Sequence, residues 1–233
     1  MKKNLNQKLI NLVEYYNLAN ANLLLSSTPL KRNPKTKKIV LTGTKLQKLE
    51  KLKKSIQAIK NCELKKSATN LVFSDGNANA KIMIIGEGPG ANEDLEGKPF
   101  VGRAGKLLDK MLASIQLDRS KVYISNVVNY RPPLNRRPTD EEILRYCPYL
   151  LKHIEIINPK ILFLLGSTAL NAIIGSEEVI SKARGKWVQK EIGEIKPWVI
   201  ASFHPAFLMR QPEQKKQAWI DLKMIREKIK NIN

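Results

Sequence analysis

A short apolar run that ends in a glycine-rich loop constrains the fold of this chain more than any other feature. Residues 81–85 have the β-branched side chains of a buried strand, residues 86–90 form a Gly-Glu-Gly-Pro-Gly loop, and residues 104–112 have apolar side chains at helical spacing. A strand, a loop and a helix in this order place a binding site at the carboxyl end of a parallel strand. The sequence therefore predicts an α/β fold with a site at this loop.

A dinucleotide-binding loop is the main alternative for residues 86–90. Their glycines have the spacing Gly-x-Gly-x-Gly, whereas the dinucleotide fingerprint has Gly-x-Gly-x-x-Gly, and Pro89 removes one amide donor. Three acidic side chains also stand where a pyrophosphate would bind: Glu87, Glu93 and Asp94. Exposed loop amides instead suit the carbonyl groups of a neutral pyrimidine, and Phe100 is placed to stack on the face of such a base.

Further motifs follow this loop along the chain. They are residues 98–105 (KPFVGRAG), 122–128 (VYISNVV), 131–136 (RPPLNR), 158–166 (NPKILFLLG), 184–187 (RGKW) and 203–210 (FHPAFLMR). Together with residues 86–94 (GEGPGANED), these motifs resemble, in content and in order, those of the type-4 uracil-DNA glycosylases. The resemblance runs from about Cys62 to about Lys230 and so covers most of the chain.

The resemblance implies an α/β fold, a three-layer α/β/α sandwich with a short, mainly parallel central sheet. The candidate strands are residues 81–85, 122–127, 161–165 and 198–203. Three of these strands end at Gly86, Asn126 and His204, an arrangement that brings the three residues to one cleft. We predict a basic helical N-terminal extension and linker at residues 1–60 and a uracil-DNA glycosylase-like catalytic domain at residues 61–233.

The function that the resemblance implies is DNA repair. A glycosylase of this family flips uracil out of DNA and hydrolyses its N-glycosidic bond to leave an abasic site. By this resemblance Gly88 lines the base pocket through its backbone, Phe100 stacks on the ring, and the amide of Asn126 pairs with the O4 and N3–H edge of uracil. A turn-capping role is the alternative for Asn126.

The implied catalytic residues lie on two of these motifs. His204 would donate a hydrogen bond to O2 of the departing uracil anion. Glu93 is placed either to crowd the pyrimidine or to orient a water. It is the first choice for positioning the attacking water, and Glu87 is the alternative. An ordinary acidic residue at a helix N-terminus is the other interpretation of Glu93, because acids favour that end.

The charge of the chain favours a polyanionic partner, and uracil-containing DNA is the partner that the resemblance implies. The net charge is +20, and residues 1–66, with 16 Lys or Arg against 3 acids, carry +13 of it. A lysine-rich solvated surface is the alternative. Apolar spacing predicts helices over residues 4–25 and 45–60 in this basic part. Five residues beside the motifs are candidate DNA contacts: Arg131, Arg136, Arg184, Leu208 and Arg210.

The chain departs from its family at the cysteines. Family members usually carry four cysteines for a 4Fe-4S cluster, and the corresponding positions here are Ile59, Cys62, Tyr130 and Cys147. Two thiols do not complete a four-iron cluster. We therefore predict a variant that has lost two of the four ligands and contains no cluster, no other metal and no cofactor.

Two other functions remain open from the sequence. One is a cluster-free lesion-binding protein with weakened catalysis, and the other is a glycosylase whose specificity has shifted to another deaminated base. No stretch has the length and apolarity of a membrane span. We expect a monomer in the cytoplasm, associated with the nucleoid and not with membranes, whose abasic product passes to downstream repair enzymes.

Overall fold

The computed structural model describes residues 39–175 and 179–232. These residues fall within one compact unit that spans Lys37–Asn233. The helix that we predict over residues 4–25 lies outside the described residues.

Six strands form one sheet in the order β1-β3-β2-β4-β6-β5. The strands are β1 (Asp75–Gly76), β2 (Ile82–Gly86), β3 (Val122–Asn126), β4 (Ile161–Leu165), β5 (Val188–Gln189) and β6 (Trp198–Ser202). The four central strands are parallel, and the two-residue strands β1 and β5 pair antiparallel at the edges. The central strands are almost wholly buried, as expected for a parallel sheet covered on both faces.

Helices cover the two faces of the sheet. They are α1 (Lys45–Gln57), α2 (Glu63–Ser67), α3 (Ala91–Glu96), α4 (Arg103–Ala113), α5 (Asp140–Ile157), α6 (Ser167–Ile173), α7 (Ile180–Ala183), α8 (Pro205–Arg210) and α9 (Lys215–Lys230). Alternate strand residues point to opposite faces. Met83 and Ile85 pack in a cluster with α1, α5 and α6, whereas Ile82 and Ile84 pack in a second cluster with α4, α8 and α9.

The predicted α/β sandwich is confirmed, and the four predicted strands agree with β2, β3, β4 and β6 to within one residue at each end. Sequence periodicity does not predict β1 and β5, because two residues are too few to show an alternation. The predicted order of strand, loop and helix after residue 81 corresponds to β2, the glycine loop, α3 and α4.

The N-terminal part of the described chain packs on the core. Helix α1 begins with a capping box between Thr44 and Gln47, ends three residues before the predicted residue 60, and buries Leu49, Leu52 and Ile56. These side chains share a cluster with α5. The domain boundary at residue 60 stays a prediction. Among the described residues, no helix combines the length and the apolarity needed to cross a membrane.

Candidate active site

The carboxyl ends of three parallel strands surround a cavity of about 190 Å³. Asn126 is the last residue of β3, and His204 follows two residues after β6. Glu87, Gly88, Glu93 and Phe100 contribute to the wall, together with Arg136. The structure therefore brings all six of the predicted catalytic and base-binding residues to one cavity.

The amide of Asn126 is built to accept a hydrogen bond that no protein group supplies. Its side chain is 3% exposed, and Oδ1 has no hydrogen-bond partner among the described residues. A buried acceptor without a partner costs about 1–3 kcal/mol. A Cβ atom on Gly86 would lie 2.5 Å from this oxygen and 2.5 Å from the Phe100 ring, so only glycine fits at this position. This oxygen is therefore free to accept a hydrogen bond from a molecule bound in the cavity.

Phe100 forms an aromatic wall of the cavity. It is 5% exposed, and its backbone has a φ of 56°, in the left-handed region that bulky residues rarely occupy. Its ring centroid lies 5.6 Å from that of His204, with an angle of 30° between the ring planes. The two rings and the amide of Asn126 thus line the same cavity.

His204 is held as a neutral donor. It is the N-cap of α8, and its Nδ1 accepts a hydrogen bond of 3.2 Å from the amide of Ala206. Burial and the charge of Arg210 lower its pKa to about 4. Above that pH the ring is neutral, and because Nδ1 is the acceptor, the proton is on Nε2. His204 can therefore offer an N–H group to the cavity without a charge.

Two histidines, the buried His153 and the partly buried His204, predict a loss of stability in acid. Burial also lowers the pKa of His153, to about 3. In the unfolded chain both histidines have the ordinary pKa of 6.5, so below that pH the unfolded chain binds protons that the folded chain does not bind. We expect the free energy of unfolding to fall between pH 6.5 and 4.5, by at most about 2.7 kcal/mol per pH unit for two protons. Urea unfolding at each pH measures it. His204→Asn, which keeps a helix cap, should halve the slope, and equal stability at pH 6.5 and 4.5 would contradict the account.

The two glutamates are held by different partners. The carboxylate of Glu93 accepts hydrogen bonds from the amides of Gly90 at 3.1 Å and Gly102 at 2.7 Å, so it links the glycine loop to the start of α4. Glu87 accepts from the hydroxyl of Thr168 and lies 3.6 Å from the guanidinium of Arg137. Both carboxylates are thus fixed at the edge of the cavity.

A second cavity of about 570 Å³ adjoins the first. Glu87 and His204 line both cavities, and Arg137, Phe207 and Arg210 line the second one. The guanidinium of Arg137 also donates to Ser167 and Thr168 at 3.1 and 3.0 Å. Thr168 is not among the site residues that the sequence predicts. Its contact with Glu87 joins residues 81 positions apart, and no local sequence pattern indicates it.

Three of the predicted DNA contacts lie near these cavities. Arg136 lines the first cavity and forms a bidentate ion pair with Glu142 at 2.7 and 2.8 Å. Arg131 donates to Asn135 at 2.8 Å, and Arg210 is exposed at the end of α8.

The structure corrects the prediction for Leu208. Its side chain is 1% exposed and packs in the core cluster of α4 and α9, so it cannot reach DNA from α8 without unfolding that helix. Its neighbours Phe207 and Met209 are partly exposed. Of the three side chains, Phe207 and Met209 are therefore the ones that solvent can reach.

Arg184 also has a different environment from the predicted one. Its guanidinium is paired with the buried carboxylate of Asp221 and bonded to Gln217, and it stacks over the Phe203 ring at 5.6 Å. Asp221 accepts a further bond from Ser202 at 2.6 Å. With its donors bound to α9, Arg184 joins the end of α7 to that helix, and a contact with phosphate would require these bonds to break.

The four positions that the resemblance assigns to cluster ligands do not fit a four-iron cluster. Cys62 is 5% exposed, and its sulfur lies 3.3 Å from the hydroxyl of Tyr146. Cys147 instead donates to the carbonyl of Ala172 at 3.7 Å. Tyr130 is buried and Ile59 partly buried in the same apolar cluster. Two thiols with separate partners, and two side chains without a sulfur, are too few ligands.

Comparison with known proteins places this geometry in a family. Residues 73–223 match the model of the uracil DNA glycosylase superfamily. The chain is 41% identical over 186 residues to a type-4 uracil-DNA glycosylase of Archaeoglobus fulgidus, covering 78% of this chain and 94% of the relative. For relatives of the same name from Sulfurisphaera tokodaii and Thermotoga maritima, the identities are 43% and 42%, covering 78% and 72% of this chain and 85% and 86% of each relative.

Proposed function

Because the chain belongs to the type-4 uracil-DNA glycosylase family, we propose that it excises uracil from DNA through the cavity between Asn126, Phe100 and His204. The observation that carries this proposal is the unpartnered, buried Oδ1 of Asn126. In uracil, N3–H is the donor that such an oxygen needs, and O4 accepts from the amide nitrogen of the same side chain. Cytosine has an acceptor at N3 and a donor at position 4, so it offers the opposite pattern.

The reaction that we propose is hydrolysis without a covalent enzyme intermediate. The bond between C1′ of the sugar and N1 of uracil breaks, and its electron pair leaves with the base. The neutral His204 donates a hydrogen bond from Nε2 to O2 of the uracil anion, which stabilises charge that develops only as the bond breaks. Water adds to C1′ of the oxocarbenium-like sugar and loses a proton to a carboxylate or to solvent.

We assign the positioning of this water to Glu93, with Glu87 as the alternative. Support comes from the two amide contacts of Glu93, one to each carboxylate oxygen, which fix its orientation and leave a lone pair of each oxygen for water. Glu87 has its Oε2 bonded to Thr168 and close to Arg137. Glu87 lines both cavities, and these contacts suit it better to holding Arg137 and Thr168 in place beside the second one.

DNA is the substrate, and we propose that it binds over the mouth of both cavities. Arg131, Arg136 and Arg210 would contact phosphates, and the partly exposed Phe207 and Met209 would fill the space of the flipped nucleotide. We also propose that the protein acts as a monomer.

We propose that the protein works without an iron-sulfur cluster. The apolar cluster that contains Ile59, Tyr130 and the Cys62–Tyr146 contact would then support the loop before Arg131 by packing instead of ligation.

Iron analysis tests this proposal. Purified active protein is expected to contain well below one iron per chain, because two thiols are too few ligands. Cys147→Ala should keep its excision rate, since Cys147 does not line the first cavity and its sulfur donates to the carbonyl of Ala172. Four irons and four sulfides per chain would contradict the proposal.

Excision itself is tested with three labelled duplexes that differ only in one base, uracil, thymine or cytosine. We expect alkali-sensitive breaks at uracil alone. Tight binding to the uracil duplex with no abasic product would support the lesion-binding alternative instead, and breaks at another deaminated base but not at uracil would support a shifted specificity.

A further inference from the structure

We propose that Arg119 is a positioning residue that holds Phe100 in the orientation needed to stack on uracil. The proposal rests on the proposed function, because it assigns Phe100 to the base site. Arg119 is absent from the wall of the cavity and sits in a single 3₁₀ turn, Arg119–Lys121, before β3. It acts on the site only through its contacts with the backbone of the loop that carries Phe100.

The guanidinium of Arg119 binds two successive carbonyl groups of this loop. Its Nη2 donates to the carbonyl of Phe100, and its Nη1 donates to that of Pro99 at 3.1 Å. These two carbonyls precede the turn into α4, and neither has another partner among the hydrogen bonds of the described backbone. One planar cation therefore fixes the direction of the peptide on either side of the Phe100 Cα.

Phe100 needs such support because its backbone is strained. A φ of 56° places the Cβ atom of a bulky residue close to its own carbonyl, at a cost of about 1–2 kcal/mol relative to the ordinary regions. A strained conformation persists only where its surroundings enforce it, and such residues cluster at functional sites. If the loop relaxed, the aromatic ring would swing away from the position 5.6 Å from His204.

Gly105 holds the same backbone from the other side. A Cβ atom on this residue would lie 1.7 Å from the carbonyl oxygen of Phe100 and 2.1 Å from its carbon. The first turn of α4 thus runs directly against the strained peptide. The Phe100 carbonyl is enclosed between this helix and the Arg119 guanidinium, with no room to rotate.

Two carboxylates anchor the guanidinium. Nε of Arg119 donates to Asp109 of α4 at 2.8 Å, and Nη1 donates to Asp75 of β1 at 2.7 Å. The side chain is only 25% exposed, so these contacts are partly shielded from solvent. The fork of donors on one arginine joins α4, β1 and the Phe100 loop at once, which the compact ammonium of lysine cannot do.

A purely structural ion cluster would lower stability when broken and leave the base site unchanged. Inhibition by free uracil separates the two roles, because free uracil contacts the base pocket and makes no contact with the DNA surface. We compare Arg119→Gln and Arg119→Lys with Lys121→Gln, which removes one positive charge from the same turn. The Lys121 side chain is 56% exposed and pairs with Asp118 at 3.9 Å, away from Phe100.

We expect Arg119→Gln to raise the inhibition constant for free uracil about tenfold and to lower the single-turnover excision rate about 100-fold, since a misplacement of about 1 Å has an effect of this size. Arg119→Lys should recover only part of the loss, and Lys121→Gln should match the original chain in both measurements. Thermal unfolding of every variant shows which of them are folded at the assay temperature.

The outcomes are separable from those of the function itself. If the unaltered protein excises uracil and a folded Arg119→Gln variant has unchanged rate and inhibition constant, this inference is overturned while the function stands. Should Arg119→Gln fail to fold, Asp109→Asn serves instead, because it frees the guanidinium on one side and the carboxylate is 46% exposed. Asp109→Asn should raise the inhibition constant for free uracil and lower the excision rate, each by a smaller factor than Arg119→Gln. If neither quantity changed, the inference would likewise be overturned.

Discussion

Replacement of His204 by alanine is expected to lower the rate of uracil excision by about 10²- to 10³-fold, the usual effect of removing one donor to a developing oxyanion. The neutral ring, with Nδ1 engaged by Ala206, offers its Nε2–H group to the leaving base, and nothing in the alanine variant takes its place. Affinity for uracil-containing DNA should be nearly unchanged, because this bond strengthens only as charge develops. Single-turnover rates and DNA titrations measure the two quantities.

His204→Asn is the matched control for helix capping. The Oδ1 atom of asparagine can accept from the Ala206 amide as Nδ1 does, but asparagine has no atom at the position of Nε2. We therefore expect His204→Asn to be as inactive as His204→Ala and more stable than it by about 1 kcal/mol. Excision at the original rate by either variant would remove His204 from the mechanism.

Replacement of Asn126 by alanine is expected to lower kcat/KM for uracil in DNA by about 10²- to 10³-fold and to leave stability intact. Two hydrogen bonds to the base are lost, which corresponds to about 3–4 kcal/mol of recognition at the transition state. The free energy of unfolding should stay equal or rise, because Oδ1 has no partner to lose among the residues that the structure describes. Excision kinetics and urea unfolding of the same preparation test both statements.

Asn129 offers the opposite control. It is a buried asparagine three residues further along, and its side-chain nitrogen donates to the carbonyl of Val72 at 3.0 Å. Asn129→Ala should lose about 1–3 kcal/mol of stability and keep the specificity for uracil. If Asn126→Ala were less stable than Asn129→Ala, or if it retained its excision rate, Asn126 would be a structural residue. Another residue would then have to recognise uracil.

The elements that the sequence predicts well are those with local signals. Each central strand is a run of apolar residues, and Asn126 and His204 end two of these strands, so a shared cleft follows from the parallel topology. The edge strands β1 and β5 have no such signal. They form because the backbones of β3 and β6 offer free edges, which is a property of the assembled sheet.

Partners distant in the chain account for the predictions that the structure changes. The sequence shows a basic residue at 184 and an apolar one at 208, both beside motifs, and it does not show that Asp221 binds the first and that the α4–α9 core encloses the second. Arg119 is the converse case. Arg119 belongs to none of the sequence motifs, yet it contacts Asp75 and Phe100, which lie 44 and 19 positions away in the chain.

The cluster positions show the same limit. Counting cysteines predicts too few ligands, yet the partner of each remaining thiol depends on three-dimensional packing. The sulfur of Cys62 meets a phenol 84 residues away and not the second thiol. Around it lie the apolar side chains of the core cluster that also contains Tyr130.

The most direct test of the account is to count uracil released from duplex DNA by a preparation whose iron content is determined on the same sample. We expect many uracils released per chain at an iron content well below one atom per chain, and none released by Asn126→Ala within the same time. Absence of released uracil from folded, DNA-binding protein, or release that appears only after an iron-sulfur cluster has been assembled in it, would contradict the central claim that this pocket excises uracil without a cluster.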